Sequence, residues 1–186
     1  ITSQQGIGDN FPAWIGVPPS SMGVMVRNNG EIIQEIRDQV KTGVDLIKLA
    51  GSGHSSDEYA AFRLEEIKLA ADESHRLSRP ITIHARSRQS VRYAAEAGMD
   101  WIMHASFMDQ PTLDIVLEKQ IPICPAMTLL VNILEADDIG ISDLPKGVRH
   151  HAEKERDAAI AILSKFHQSG GTLICGSETG FAMTPY

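Results

Sequence analysis

The feature that most constrains this sequence is a rhythm. Short apolar runs of strand type, over residues 45–50, 81–85, 100–104, 121–124 and 172–176, alternate with longer segments whose apolar side chains recur on one helical face. In 31–41 that face is Ile32, Ile33, Ile36 and Val40, and Gly43 suits the left-handed residue after a helix. Ser55 to Glu58 has capping-box spacing and opens a second helix, along which Leu64, Ile67, Ala71, Ser74 and Leu77 share a face. Further helices are predicted over 88–97, closed by Gly98, over 110–119, with Pro111 in the first turn, and over 150–168, ending at Gly170-Gly171. Residues 1–30, rich in Gly, Pro and Ser, read as an extended loop, and 132–147 as a loop or short lid. Strands alternating with helices through brief connections predict a parallel sheet covered by helices. Several of the runs are almost wholly apolar, as strands buried on both faces are.

Bulk properties remove several classes of partner. Seventeen basic against twenty-four acidic residues give a formal charge of −7, and no basic cluster follows a phosphate backbone, so nucleic acid is not expected. No apolar run approaches the roughly 18 residues that span a bilayer, so no membrane is expected either. Cys124 and Cys175 both lie in strand-like runs and read as buried free thiols, which favours a reducing cytoplasm. A homo-oligomer is the protein assembly kept open.

Four residues able to do metal chemistry sit at or near the ends of these runs: Lys48, His84, His104 and Glu178. Where parallel strands close into a barrel, residues far apart in sequence meet at the carboxyl ends of the strands. His84 and His104 occupy matching positions in consecutive βα units, and neutral imidazoles are good zinc ligands. Lys48 in a buried strand must be paired or neutralised, and a neutral amine can add carbon dioxide to become an anionic carbamate able to bridge two metal ions. The alternative is a lysine that reaches the mouth or pairs with a carboxylate. Glu178, in Gly176-Ser-Glu-Thr-Gly180, could coordinate metal or take the proton of an attacking water; otherwise it is a loop or capping acid. His54, in a Gly-rich loop after the first strand, is placed to reach substrate. His75, His150, His151 and His167 read as residues of solvated helical faces.

The segments Gly43-Val-Asp-Leu-Ile-Lys48, Ile83-His-Ala85, Ala97-Gly-Met-Asp-Trp-Ile-Met-His104 and Gly176-Ser-Glu-Thr-Gly180 resemble the amidohydrolase superfamily. The match is closer to its imidazolonepropionase-like and Xaa-Pro/Xaa-Arg dipeptidase-like branch. The resemblance implies a distorted (β/α)8 barrel that binds one or two divalent metals, usually zinc, and activates water to hydrolyse an amide or related C–N bond. It implies that Lys48 is the carboxylated bridging lysine of strand four, that His84 and His104 are the metal-binding histidines of strands five and six, and that Glu178 stands where the family usually has a strand-eight aspartate. The family's strand-one His-x-His pair has no counterpart here.

The fold expected is therefore α/β, a partial (β/α)8 barrel covering roughly strands 4 to 8. A length of 186 residues is short for a whole barrel of about 250. Residues 1–186 are accordingly expected to be an incomplete barrel domain, lacking strands one and two and a flanking β domain, and to be inactive in isolation. The expected activity of the whole enzyme is zinc-dependent hydrolysis of a small-molecule or dipeptide substrate. The competing readings are a noncatalytic small-molecule-binding α/β domain and a barrel lyase in which Lys48 forms a Schiff base.

Overall fold

A computed structural model describes residues 1–3, 23–53, 59–136, 144 and 146–178. Its elements run α1 (Asn29–Thr42), β1 (Ile47–Ala50), α2 (Leu64–Arg76), β2 (Ile81–Ala85), α3 (Arg88–Ala97), β3 (Trp101–His104), α4 (Gln110–Glu118), β4 (Ile123–Cys124), α5 (Thr128–Leu134) and α6 (Lys146–Gln168). The local reasons lie in the sequence. Asn28 caps α1 by accepting from the Glu31 amide at 3.0 Å, and Ser87 caps α3 by accepting from the Ser90 amide at 3.1 Å. Asp109 does the same for α4, ahead of a proline in its first turn. Gly43 and Gly98 take the left-handed conformation that ends α1 and α3, at φ 93° and 77°.

The four strands are parallel and lie side by side in chain order, β1-β2-β3-β4. Consecutive helices pack on one another outside them, α1 on α2, α2 on α3 and α3 on α4, with α6 against α4. Sequential order without a reversal point is the arrangement of a barrel wall; a doubly wound sheet reverses its order and carries helices on both faces. Single bridges extend the wall at both sides, Thr2 to Ala50 beside β1 and Leu173 to Ile123 beside β4.

Alternation along each strand divides the side chains. Ile47 and Leu49, Ile81 and Ile83, Ile102 and Ile123 point to the helices, where they are at most 1% exposed and form the core with Ile32, Ile36, Ile67, Val91, Leu113, Val116 and Phe166. Each such burial stabilises by roughly 1.5–3 kcal/mol, which fixes the register because a one-residue slip would turn every isoleucine to the other face. The opposite, inner face carries Lys48 and Ala50, Thr82 and His84, Trp101 and Met103, and Cys124, aligned by strand register.

Several expectations are corrected. The second helix begins at Leu64, where the Arg63 amide donates to Glu66 Oε2 at 2.8 Å; the capping-box spacing at 55–58 falls on residues outside those described. Part of the expected 132–147 loop is helical, because the apolar run Leu129-Leu130-Val131 continues into α5 and buries Leu129 and Leu130. The last helix starts four residues earlier, at Lys146. The last strand is reduced to the Leu173 bridge, with two hydrogen bonds to Ile123. Cys175 is exposed on that edge, while Cys124 is buried; both are free thiols. Lys48 does not lie in a strand buried on both faces, since its side chain opens on the exposed part of the inner face. Among the described residues no helix is long and apolar enough to cross a membrane.

Candidate active site

His84 reaches the inner face by simple alternation from Thr82, and its backbone is tied to the first loop by the Gly51 amide, which donates to the His84 carbonyl at 2.7 Å. His104 needs a different device. It pairs in register with Ala85, whose side chain faces the helices, so regular strand geometry would send the His104 ring the same way. Instead His104 takes φ 73°, and the Ala105 amide closes a three-residue turn on the Met103 carbonyl at 3.1 Å. That turn brings the ring against His84, edge to face with centroids 4.6 Å apart, and both histidines are 2% exposed.

The two rings present opposite nitrogens. His84 Nε2 lies 3.2 Å from the Gly53 carbonyl, which can only accept, so the proton sits on Nε2 and the lone pair on Nδ1. His104 hydrogen-bonds the carbonyl of Pro125, while its Nε2 is buried without a hydrogen bond; Nδ1 therefore donates and Nε2 carries the lone pair. A backbone carbonyl behind each imidazole fixes its tautomer, as it does behind metal-binding histidines. Burial, and then the positive charge of Arg86, hold His104 well below the ordinary histidine pKa, so the ring is neutral.

Glu178 Oε1 stands 3.5 Å from His104 Nε2. Its backbone is also left-handed, at φ 53°. Burial raises its pKa above the usual carboxylate range, with Arg86 and Lys48 opposing the shift. Partial desolvation lowers the pKa of Lys48, and the Glu178 carboxylate pulls the other way. The structure thus brings His84, His104 and Glu178 into contact, with Lys48 on the same face within electrostatic reach. Among the described residues no three His, Cys, Asp or Glu side chains converge as a metal-holding group. His54 lies outside the described residues.

Sequence reasoning missed a second set of buried groups. Arg86, just past β2, donates through Nη1 to both oxygens of Glu155 on α6, at 2.7 and 2.8 Å, and these side chains are 4% and 1% exposed. The Ser106 hydroxyl donates to Glu155 Oε1 at 2.7 Å. His151, expected on a solvated face, instead turns Nε2 inward to 3.7 Å from Glu155 Oε2. A signal for Glu155 was present: it falls on the stripe of Ala152, Ala159, Ile162 and Phe166, where an apolar residue is expected.

No family model matches the chain. It is 24% identical over 201 residues to the ochratoxinase of Aspergillus niger, an alignment covering 96% of this chain and 41% of that protein. Its structure superposes on a Xaa-Pro dipeptidase with methionine bound in the active site, at a TM-score of 0.82 and 22% identity, over 100% of this chain and 47% of that one. The crystal structure of A. niger ochratoxinase gives 0.79 and 20% over 95% and 44%. The chain carries the fold of the amidohydrolase superfamily. It spans less than half the length of these relatives, and the parallel wall seen here is part of the amidohydrolase barrel. The ends of β2 and β3, with the segment after Leu173, are the edge at which such barrels gather their chemistry.

Proposed function

We propose that this chain supplies part of the active site of a metal-dependent hydrolase that cleaves an amide or other C–N bond in a small molecule or dipeptide. The reading is carried by one observation: His104 Nε2, buried, neutral and bearing a lone pair, has no hydrogen bond and points at the Glu178 carboxylate. A buried nitrogen of this kind is costly to leave unpaired. It fits a divalent cation, which accepts a lone pair and suits a site of imidazole nitrogens and carboxylate oxygens. His84 and His104 would hold the ion, with Lys48 joining them as a carbamate; partial desolvation favours the neutral amine from which a carbamate forms. When bound, zinc supplies Lewis acidity and makes water a competent nucleophile near neutral pH. Glu178, its pKa raised by burial, takes the proton from the attacking water and returns it to the leaving nitrogen. The carbonyls of Gly53 and Pro125 keep the two rings oriented throughout.

The test uses the full-length protein, purified and assayed for metal by mass spectrometry and for hydrolysis against a panel of Xaa-Pro dipeptides and N-acyl amino acids. About one or two zinc equivalents per chain are expected. His104→Ala should lose metal and lower hydrolysis by at least about 100-fold, the upper end of what disturbing a metal site's supporting groups costs. Undiminished turnover by a demonstrably metal-free preparation would sink the reading.

A further inference from the structure

Among the described residues, Arg86–Glu155 is an ion pair sealed from solvent on both sides, and it is far from the cheapest way to fill that space. Taking two charges out of water costs several kcal/mol each, and apolar replacements of similar volume are often as stable or more so. A methionine or leucine at 155 would simply continue the apolar stripe of α6. The pair therefore calls for a role in what it holds in place.

What it holds leads directly to the histidines. The Ser106 hydroxyl fixes Glu155 Oε1, and both Glu155 oxygens fix Nη1 of Arg86. A guanidinium is planar, so anchoring one edge aims the other. The other edge puts Nη2 3.8 Å from Glu178 Oε2, and Glu178 Oε1 faces His104 Nε2 at 3.5 Å. The Arg86 backbone is pinned as firmly: its amide donates to Ser52 Oγ at 3.0 Å, and its carbonyl accepts from the Phe107 amide at 3.1 Å. Glu178 follows the exposed segment 172–177, which is tied to the sheet by hydrogen bonds between Ile123 and residues Thr172 and Ile174.

We infer that Glu155 is a positioning residue: through Arg86 it orients the Glu178 carboxylate against His104, coupling α6 to the chemistry at the strand ends. The inference rests on the reading of Glu178 as the proton carrier.

It is tested in the full-length protein with Glu155→Gln, which keeps the shape and removes the charge, beside Glu153→Gln, an exposed acid on the same helix, as control. Glu155→Gln should lower kcat by about 10- to 100-fold with KM within about twofold, the scale seen when a group supporting a site residue is lost. Metal content should not change. Glu155→Asp, which restores the charge, should recover several-fold of the lost kcat by the same supporting-group logic. Crystal structures should show the Glu178 carboxylate displaced from His104 Nε2 while the two histidine rings keep their contact. If Glu155→Gln does not fold, Ser106→Ala loosens the same carboxylate and should move Glu178 and kcat in the same direction, by less. An unmoved Glu178, or a kcat equal to that of the control variant, overturns the inference. If the wild-type protein hydrolyses nothing, the proposed function fails, and the position of Glu178 in the variant structures still decides the role of Glu155.

Discussion

Removing one partner of the Arg86–Glu155 pair should cost much more stability than removing both. At 2.7 Å and an effective dielectric of about 20, the gross attraction is roughly 6 kcal/mol. Desolvation of two fully buried ions consumes most of this, leaving a net contribution near zero. A single substitution keeps the penalty and loses the attraction. Arg86→Met strands a carboxylate that retains, among the described residues, the Ser106 hydroxyl and the His151 ring at 3.7 Å, and should cost about 3–5 kcal/mol. Glu155→Leu strands a guanidinium whose Nη2 still faces Glu178 at 3.8 Å, worth roughly 4 kcal/mol gross at the same dielectric. Its cost should fall at the low end, about 3 kcal/mol. The double variant leaves no unpaired charge and should lie within about 2 kcal/mol of wild type, so the coupling exceeds about 4 kcal/mol, above the usual range for contacting residues because both groups are buried ions. Denaturant unfolding of the full-length protein, with unchanged m-values, measures each corner of the cycle. Single costs that simply add in the double variant would refute the argument, as would singles below about 1 kcal/mol.

Two further perturbations test the frame around the site. A Cβ at Gly51 would lie 2.6 and 2.8 Å from the Ile83 side chain and 3.0 Å from the His84 carbonyl, so Gly51→Ala should cost about 1–3 kcal/mol by overpacking and displace His84; an unchanged melting temperature would contradict this. Glu73, hydrogen-bonded by Arg76 and Arg37, has its pKa lowered from 4.5 to about 2. A carboxylate depressed on folding stabilises fully above its unfolded pKa and loses that contribution as pH falls toward the folded one. The stability difference between wild type and Glu73→Gln should therefore be constant above about pH 4.5 and shrink between there and about pH 2; a difference that grows on acidification would contradict it.

The wall of the barrel was legible because it follows from periodicity. Isoleucines at alternate strand positions and at helical spacing fix which face meets which. β2 and α3 coincide with the expected 81–85 and 88–97. What periodicity could not supply is pairing between distant segments. Glu155 is 69 residues from Arg86 and 49 from Ser106. Its place on the apolar stripe of α6 signals burial, but nothing local names its partner, and nothing around Arg86 shows that its charge would be met across the mouth. The last strand is shorter than its sequence predicts for a related reason: Thr172-Leu-Ile-Cys has strand character, yet a strand forms only where a neighbour pairs with it, and here Ile123 supplies one bridge.

The histidine pair was expected for a reason only half right. Matching positions in consecutive βα units bring two residues to the same end of the sheet, but alternation sends them to opposite faces, because His84 pairs with Met103 and His104 with Ala85. The side chains meet because the chain leaves β3 through a left-handed turn at His104 and Ala105, at φ 73° and 55°. Ala126, two residues past β4, and Glu178, beyond Leu173, are left-handed as well, at φ 47° and 53°. Each such non-glycine residue costs of order 1–3 kcal/mol, and such strain clusters where side chains must be re-aimed. Among the described residues Ser78 and Gln120, which follow α2 and α4, are left-handed too, but of the four at or beyond the carboxyl ends of strands, two, His104 and Glu178, face one another. A glycine would hold the same backbone with less strain but carry no ring or carboxylate to the mouth. The left-handed backbone at 104 and 178 therefore sets an imidazole and a carboxylate face to face at the strand ends, which regular strand geometry would not do.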